Sequence, residues 1–260
     1  KTGRRKDIVL TSKVSGPATD PKRPGHIRSG QTHLDRKNMT EALDASLKRL
    51  QTDYLDLYQL HWPDRTTTTF GRPAYPWKDD AYTVPIEETL EVLQDFVKVG
   101  KVRHIGVSNE TPWGVAQYLK FAETRNLPRI ASIQNPYSLL NRSYENGLSE
   151  FSHLEGLGLL AYSPLGMGVL AGKYLNGARP EGARMTLFTR FDRYMNPLAE
   201  RAAAEYVQLA RDSGLSPATM ALAFVNQQPF VISSLMGATR LDQLKENIDS
   251  VEVALPEEVM

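Results

Sequence analysis

Six short apolar runs, each separated from the next by a stretch of helical periodicity, constrain this chain more than any other feature. They are DIVLTSK (Asp7 to Lys13), YLDLYQLHWP (Tyr54 to Pro63), HIGVSN (His104 to Asn109), IASIQN (Ile130 to Asn135), GLLAYSPL (Gly158 to Leu165) and FVISSLMG (Phe230 to Gly237). In the second run Leu55, Leu57, Tyr58 and Leu60 are too closely set for a strand with one face in water, so it reads as a parallel strand covered on both sides. Strands alternating with helices through right-handed crossovers make a parallel sheet. Six such units, with two more before Lys1, would complete the eight of a closed barrel, an architecture that typically runs to about 250 residues in one domain. The expected fold is therefore α/β, a (β/α)8 TIM barrel with about six of its eight βα units here, as one domain over residues 1–260. An open doubly wound sheet is the alternative. The chain starts at Lys1 rather than Met, and LPEEVM breaks off in mid-helix, so it is expected to be a piece of a longer protein.

The helical stretches carry their own signals. Asn38 and Glu41 are spaced as a capping pair, with Leu43, Leu47 and Leu50 as the apolar stripe behind them. Ile86, Leu90, Leu93 and Val97 line a second helix that stops at Gly100. Two connections are long. Val14 to Arg36 is rich in Gly, Pro and polar residues, and Asp64 to Val84 carries Phe70, Tyr75, Trp77 and Tyr82. Aromatic residues beside a strand end suit an apolar substrate pocket, with local packing of the loop as the plain alternative.

Composition narrows the function classes. With 31 basic against 30 acidic side chains and a net charge of +1, the chain has no electrostatic footprint for nucleic acid or an anionic membrane surface. Its lack of cysteine removes disulfide scaffolds and thiol catalysis and suits a cytoplasmic protein. No apolar run approaches the roughly 20 residues that span a bilayer. The partner expected is a small molecule, and no metal site is expected.

The strand exits are where chemistry would gather: Lys13, His61, Ser108 and Asn109, Gln134 and Asn135, Tyr162 and Ser163, then Gly237 onward. In a barrel these exits share one face, and amide, hydroxyl and ring groups there would line a ligand site. Each could instead be a strand-end cap, and His61 a packed core histidine. SPLGMGVLAGK (Ser163 to Lys173) has Gly166 and Gly168 but lacks the third glycine of a dinucleotide fingerprint. In LMGATRLDQLKEN, Thr239 and Asp242 are spaced as a capping box, Arg240 adds a charge for an anion, and Gln243 and Asn247 are one turn apart.

These motifs together resemble the aldo-keto reductases, and within that family the Tas-like bacterial NADP(H)-dependent members. The carrying segments are LTSKV, DLYQLHWP, HIGVSNE, SIQNPYSLLNR, LLAYSPLGMGVLAGKYL and GATRLDQLKENI, in order over nearly the whole chain. The resemblance implies an NADPH-dependent reduction of aldehydes or ketones to alcohols. It assigns Lys13 and His61 to catalysis, Lys13 lowering the pKa of a tyrosine acid and His61 orienting the carbonyl. It gives Ser108, Asn109 and Gln134 to the nicotinamide carboxamide and Tyr162 to the ring. Ser163, Leu165, Gly168 and Lys173 would wrap the pyrophosphate, and Gly237, Thr239, Arg240, Gln243 and Asn247 would hold the adenosine end.

One part of the pattern is missing. The family's tyrosine acid and its aspartate partner lie upstream of the lysine strand, and none of the twelve residues before Lys13 is tyrosine. Residues 1–260 alone are therefore not expected to reduce carbonyls at a useful rate. The alternative function is a nicotinamide-nucleotide-binding regulatory subunit resembling potassium-channel β subunits. A phosphate-binding barrel lyase or isomerase is unsupported, for want of paired carboxylates at strand exits.

Overall fold

The structure of the chain, a computed structural model, describes residues 3–17, 27–30, 32–68, 75, 77, 83–188 and 193–260. Phe70, Tyr82 and much of the Gly- and Pro-rich connection after Lys13 lie outside the described residues. Contacts divide the chain into two compact units, Lys1–Gln134 and Asn135–Met260.

In the first unit, strands β1 (Thr11–Val14), β2 (Leu55–Leu60), β3 (Val102–Ser108) and β4 (Ile130–Gln134) alternate with helices α1 (Arg36–Leu50), α2 (Ile86–Lys98) and α3 (Pro112–Thr124). Neighbouring strands pair in parallel and in sequence order, without the reversal that a doubly wound sheet requires. All six residues of β2 are buried, as the density of its apolar residues requires. Its two faces differ. Tyr58 meets Phe96 of α2 edge-on at 6.4 Å, and Ser12 of β1 bonds Ser46 of α1 at 3.2 Å, so these side chains face the helices. Because side chains alternate along a strand, Lys13, Leu57 and Gln59 face the other way.

Two expectations fail here for identifiable reasons. The first strand begins at Thr11 rather than Asp7, while Ile8 and Val9 are 54% and 77% exposed. A cluster below the sheet decides where the chain enters it. The Asp56 carboxylate accepts from the Leu10 amide at 2.9 Å and from Arg5 at 2.7 Å, and Arg103 reaches its other oxygen at 2.9 Å. Arg5 and Arg103 also lie over the Tyr54 ring, at 4.0 and 4.3 Å from its centroid. The cap of α1 is Asp35, which accepts from the Asn38 amide at 2.8 Å, and not Asn38 with Glu41. Asn38 lies inside the first turn, where its own amide needs the acceptor.

The second unit holds α4 (Leu148–Glu155), β5 (Gly158–Tyr162), the single turn α5 (Arg184–Leu187), α6 (Pro197–Asp212), α7 (Pro217–Asn226), β6 (Val231–Leu235) and α8 (Leu241–Asp249). β5 and β6 pair in parallel, with Tyr162 beside Leu235. α7 is almost wholly buried, from Met220 to Val225. Tyr137 stacks on its Phe224 at 6.1 Å and meets Phe230 edge-on at 5.1 Å. A second apolar cluster of Val169, Tyr174, Met185, Tyr194 and Ala203 ties the glycine-containing segment after β5 to α5 and α6. The fold class is thus parallel α/β, with six βα units of the (β/α)8 barrel type. Among the described residues no helix is long and apolar enough to cross a membrane.

Asp56 makes a testable contribution to stability. Burial alone would raise its pKa, but the Leu10 amide, Arg5 and Arg103 outweigh burial and hold it below the usual carboxylate range. A carboxyl depressed in the fold stabilises above its unfolded pKa of about 3.9, and that contribution disappears as pH falls through the lower folded value. Asp56→Asn should cost about 1 to 3 kcal/mol at pH 7, and the difference from the parent should shrink below about pH 4, by urea unfolding at both pH values.

Candidate active site

The exits of β1 to β4 bring five of the expected residues onto adjoining strand ends. His61 follows β2 directly, and its amide donates to the Val14 carbonyl at 3.0 Å, so the end of β2 is fastened to the end of β1. Asn109, just past β3, has φ +53°, a left-handed conformation that asparagine tolerates better than most residues. That turn lets its side-chain amide donate back to the His61 carbonyl at 2.9 Å and to Ser108 Oγ at 3.2 Å. Ser108 Oγ in turn donates to the Gln134 carbonyl at 2.6 Å, and the Asn109 backbone amide does so at 3.0 Å. Three strand ends are therefore sewn together by the polar residues that the sequence put there.

Electrostatics distinguish Lys13 and His61 from strand-end caps. Burial lowers the Lys13 pKa from the usual lysine value. Burial, and then the nearby Lys13 charge, push His61 down to about 4, so its ring is neutral at pH 7. The His61 ring lies 4.8 Å from that of Trp62. Trp62 Nε1 donates to the Pro17 carbonyl at 2.8 Å and pins the loop after β1. Gly16 is required at that crossing, since a Cβ there would come within 2.6 Å of the Trp62 ring.

The acids near this end are engaged elsewhere. Asp64 is buried, accepting from the Leu34 amide at 2.7 Å and meeting His33 Nδ1 at 3.0 Å. Arg65 grips Glu110 with both guanidinium nitrogens, one at 3.1 Å, and lies 4.9 Å over the Trp113 ring. The Glu110 side chain is 2% exposed, and Gly114 leaves room for it against α3. Asp64, Arg65, Val84, Thr89, Trp113 and Tyr118 help line a cavity of about 140 Å³. Sequence reasoning missed this cluster, although charges placed directly after the exits of β2 and β3 were a usable signal. Of the loop aromatics, the described Tyr75 and Trp77 do not line that cavity but are exposed and pack edge-on at 5.2 Å, while Phe70 and Tyr82 lie outside the described residues.

In the second unit Tyr162 ends β5, its hydroxyl bonded to Arg193, and burial raises its pKa. Ser163, Met167 and Gly168 take positive φ of 57°, 60° and 97° in the turn that follows. Within it Gly166 donates to Ser163 at 2.8 Å and Gly168 to Leu165 at 2.8 Å, so those two amides are already used. Lys173 is exposed, with its ammonium 5.4 Å from the Tyr174 ring. The expected capping box at α8 does not form. Arg240 occupies the cap position without a side-chain cap, and the Thr239 backbone amide donates to Gln243 Oε1 at 3.4 Å instead. Asp242 faces back onto Arg240, donor Nε to acceptor Oδ1 at 2.9 Å, because a guanidinium two residues away is a stronger partner than an amide. Gly237 is exposed, Gln243 half-buried, and Asn247 is 4% exposed.

Comparison with known proteins agrees with this architecture. The model of the Aldo/keto reductase family matches residues 1–260. The chain is 57% identical to Protein tas of Escherichia coli strain K12 over 260 residues, all of this chain and 74% of that protein. It is 37% identical to an aldo-keto reductase of Babesia bovis, over 93% of this chain and 88% of that one. It is 32% identical to L-glyceraldehyde 3-phosphate reductase of Escherichia coli strain K12, over 88% of this chain and 61% of that protein. The chain belongs to the aldo/keto reductase family, and thus to a family of oxidoreductases.

The depression of His61 can be read directly. Its ring should titrate near pH 4 by NMR, and Lys13→Met should move the midpoint up toward the ordinary 6.5 by removing the neighbouring charge. An unchanged midpoint in that variant would mean burial alone sets it.

Proposed function

We propose that the protein is an NADP(H)-dependent reductase of aldehydes or ketones, with Lys13 and His61 at its reaction centre. The observation that carries this reading is their pairing: a half-buried ammonium beside a neutral imidazole, on adjoining strand ends, with no carboxylate among the described residues acting on either. Such a pair suits a carbonyl oxygen that gains negative charge. The imidazole can donate a hydrogen bond to it without adding charge, and the ammonium stabilises the charge that develops. The similarity to L-glyceraldehyde 3-phosphate reductase supports an aldehyde as substrate.

The polar groups of the first unit fit a nicotinamide carboxamide. Gln134 is buried at a strand end with no hydrogen bond from its side chain among the described residues, beside the Ser108 hydroxyl and the Asn109 amide. Together they would supply both donors and acceptors, as a carboxamide requires. In the second unit Tyr162 would present its ring, Ser163, Leu165, Gly168 and Lys173 would face a pyrophosphate, and Gly237, Thr239, Arg240, Gln243 and Asn247 an adenosine phosphate. When bound, the dinucleotide supplies the hydride. Tyr54, Tyr58 and Tyr118 are held in other packing, so none of them stands as the proton donor beside Lys13. A small-molecule carbonyl partner, rather than nucleic acid or membrane, and a cytoplasmic location belong to the same reading, supported by the balanced charge and the absence of cysteine.

In the native protein, Lys13→Met or His61→Ala should lower aldehyde-dependent NADPH oxidation by about a hundredfold or more while thermal unfolding moves little. Near-normal turnover in either variant would show that the reaction centre is elsewhere. Arg240→Ala should weaken NADPH about tenfold in a fluorescence titration and leave NADH nearly unchanged, since only the former carries the extra phosphate. Equal losses for both would make the arginine structural.

A further inference from the structure

The cavity of about 140 Å³ beside Asp64 and Arg65 has no part in the proposed reaction. Its walls come from four stretches of the first unit: the approach to α1, the chain just past β2, the start of α2 and the first turns of α3. Leu34, Val84, Pro85 and Ile86 supply apolar surface, and Trp113 and Tyr118 supply two aromatic rings. An apolar cavity of about 150 Å³ in a protein interior holds a benzene molecule. A single six-membered ring is therefore the size of guest that fits here.

The polar groups on the wall decide its chemistry. Asp64 accepts from the Leu34 amide at 2.7 Å and meets His33 Nδ1 at 3.0 Å. Arg65 holds Glu110 with both guanidinium nitrogens, and one of them also reaches Thr111 Oγ1 at 3.2 Å. A charged guest would have to break one of these buried pairs, which is costly, whereas a neutral guest leaves them in place. The Thr89 hydroxyl is likewise engaged, donating to the Leu34 carbonyl at 3.4 Å. Tyr118 is different. It is 2% exposed, and its hydroxyl makes no hydrogen bond among the described residues. Burial, and then the Glu110 carboxylate, push its pKa up, so the hydroxyl keeps its proton and remains a donor. Buried hydroxyls in folded proteins are paired, because leaving them unpaired is costly, and the cavity that Tyr118 lines is where an acceptor can stand.

We propose that this cavity is a binding site for a small neutral ring that carries one hydroxyl or carbonyl oxygen, a molecule of the size of benzyl alcohol, with the Tyr118 hydroxyl donating to that oxygen. The apolar wall and Trp113 receive the ring. Trp113 is 58% exposed, which puts part of the wall at the surface and gives the guest a way in. The site is separate from the reaction centre in its residues, since neither Lys13 nor His61 stands on its wall. It adjoins that centre along the chain: Asp64 follows His61 by three residues, and Glu110 follows Asn109, whose side-chain amide donates to the His61 carbonyl at 2.9 Å.

The test is an NMR titration of the native protein, without cofactor, with benzyl alcohol, toluene and benzoate, following the 15N-labelled indole signals. Benzyl alcohol should move the Trp113 signal saturably and leave that of Trp62, which lies against the His61 ring, in place. Tyr118→Phe keeps the ring and removes the hydroxyl. It should weaken benzyl alcohol about three- to tenfold and leave toluene, which has no oxygen, unchanged. Benzoate has the same ring but a charge, and should leave Trp113 in place at the concentrations where benzyl alcohol saturates it. That comparison uses the unaltered protein and carries the decision should Tyr118→Phe not fold. A Trp113 signal that benzyl alcohol does not move, or that benzoate moves equally, would overturn the proposal, and so would equal losses for benzyl alcohol and toluene in Tyr118→Phe. Movement of Trp62 with Trp113 unmoved would place the guest at the reaction centre and overturn it too. Because neither cofactor nor turnover is involved, the result stands whether or not the protein reduces carbonyls.

Discussion

The register of β1 on β2 is the constraint on which the chemistry of the first unit depends. Lys13 stands beside Gln59, and a slip of one residue would turn it toward α1, where Ser12 now meets Ser46. On the proposed reading, an ammonium on that side would be buried against a helix, away from the substrate carbonyl. The register is held at both ends of a strand only four residues long. Below, Asp56 takes the Leu10 amide while Arg5 clamps the same carboxylate; above, the His61 amide is bonded to the Val14 carbonyl. A strand this short has few ladder bonds of its own, so the side-chain clamp supplies part of the alignment that a longer strand would take from its backbone.

Charge is partitioned between the two ends of the same sheet. At the lower end one carboxylate is held by two guanidinium groups, both of which also lie over the Tyr54 ring. At the upper end Asp64 and Glu110 are occupied by His33 and Arg65. Those pairings matter for Lys13. A carboxylate released toward it would neutralise the ammonium and raise the His61 pKa, and both changes would weaken the attraction for a developing alkoxide. On the proposed reading, the Arg65 to Glu110 pair keeps that one carboxylate engaged away from Lys13.

Much of this was legible in the chain, and what was not has physical causes. The dense apolar run of β2 reported a strand buried on both faces, and the polar exits of β2 to β4 reported residues gathered at one end: His61, Ser108, Asn109 and Gln134 are brought onto adjoining ends. Ile8 and Val9 misled because apolarity shows that a residue can be buried without showing where the sheet begins, and the deciding interaction comes from Asp56, far along the chain. The caps of α1 and α8 were misplaced because several polar residues compete within one turn and geometry selects among them: Asp35 over Asn38, and a guanidinium over an amide for Asp242. Gln59 lies inside an apolar run, and its full burial with neither amide atom partnered among the described residues could not be read from the sequence.

The second unit poses a different physical problem, since several of its candidate groups are backbone amides or exposed side chains such as Lys173 and Arg240. The turn after β5 holds its shape by using the Gly166 and Gly168 amides internally, so rigidity there is gained with donors that an anion would otherwise have received. At α8 the competition is explicit. A phosphate approaching Arg240 meets a guanidinium already bound by Asp242, and must displace a carboxylate or share the arginine with it. A singly charged ligand gains little from that exchange, whereas a phosphate with nearly two charges and three acceptor oxygens can prevail over one carboxylate. On the proposed reading of Arg240 as a phosphate contact, competition from Asp242 would favour the more highly charged ligand.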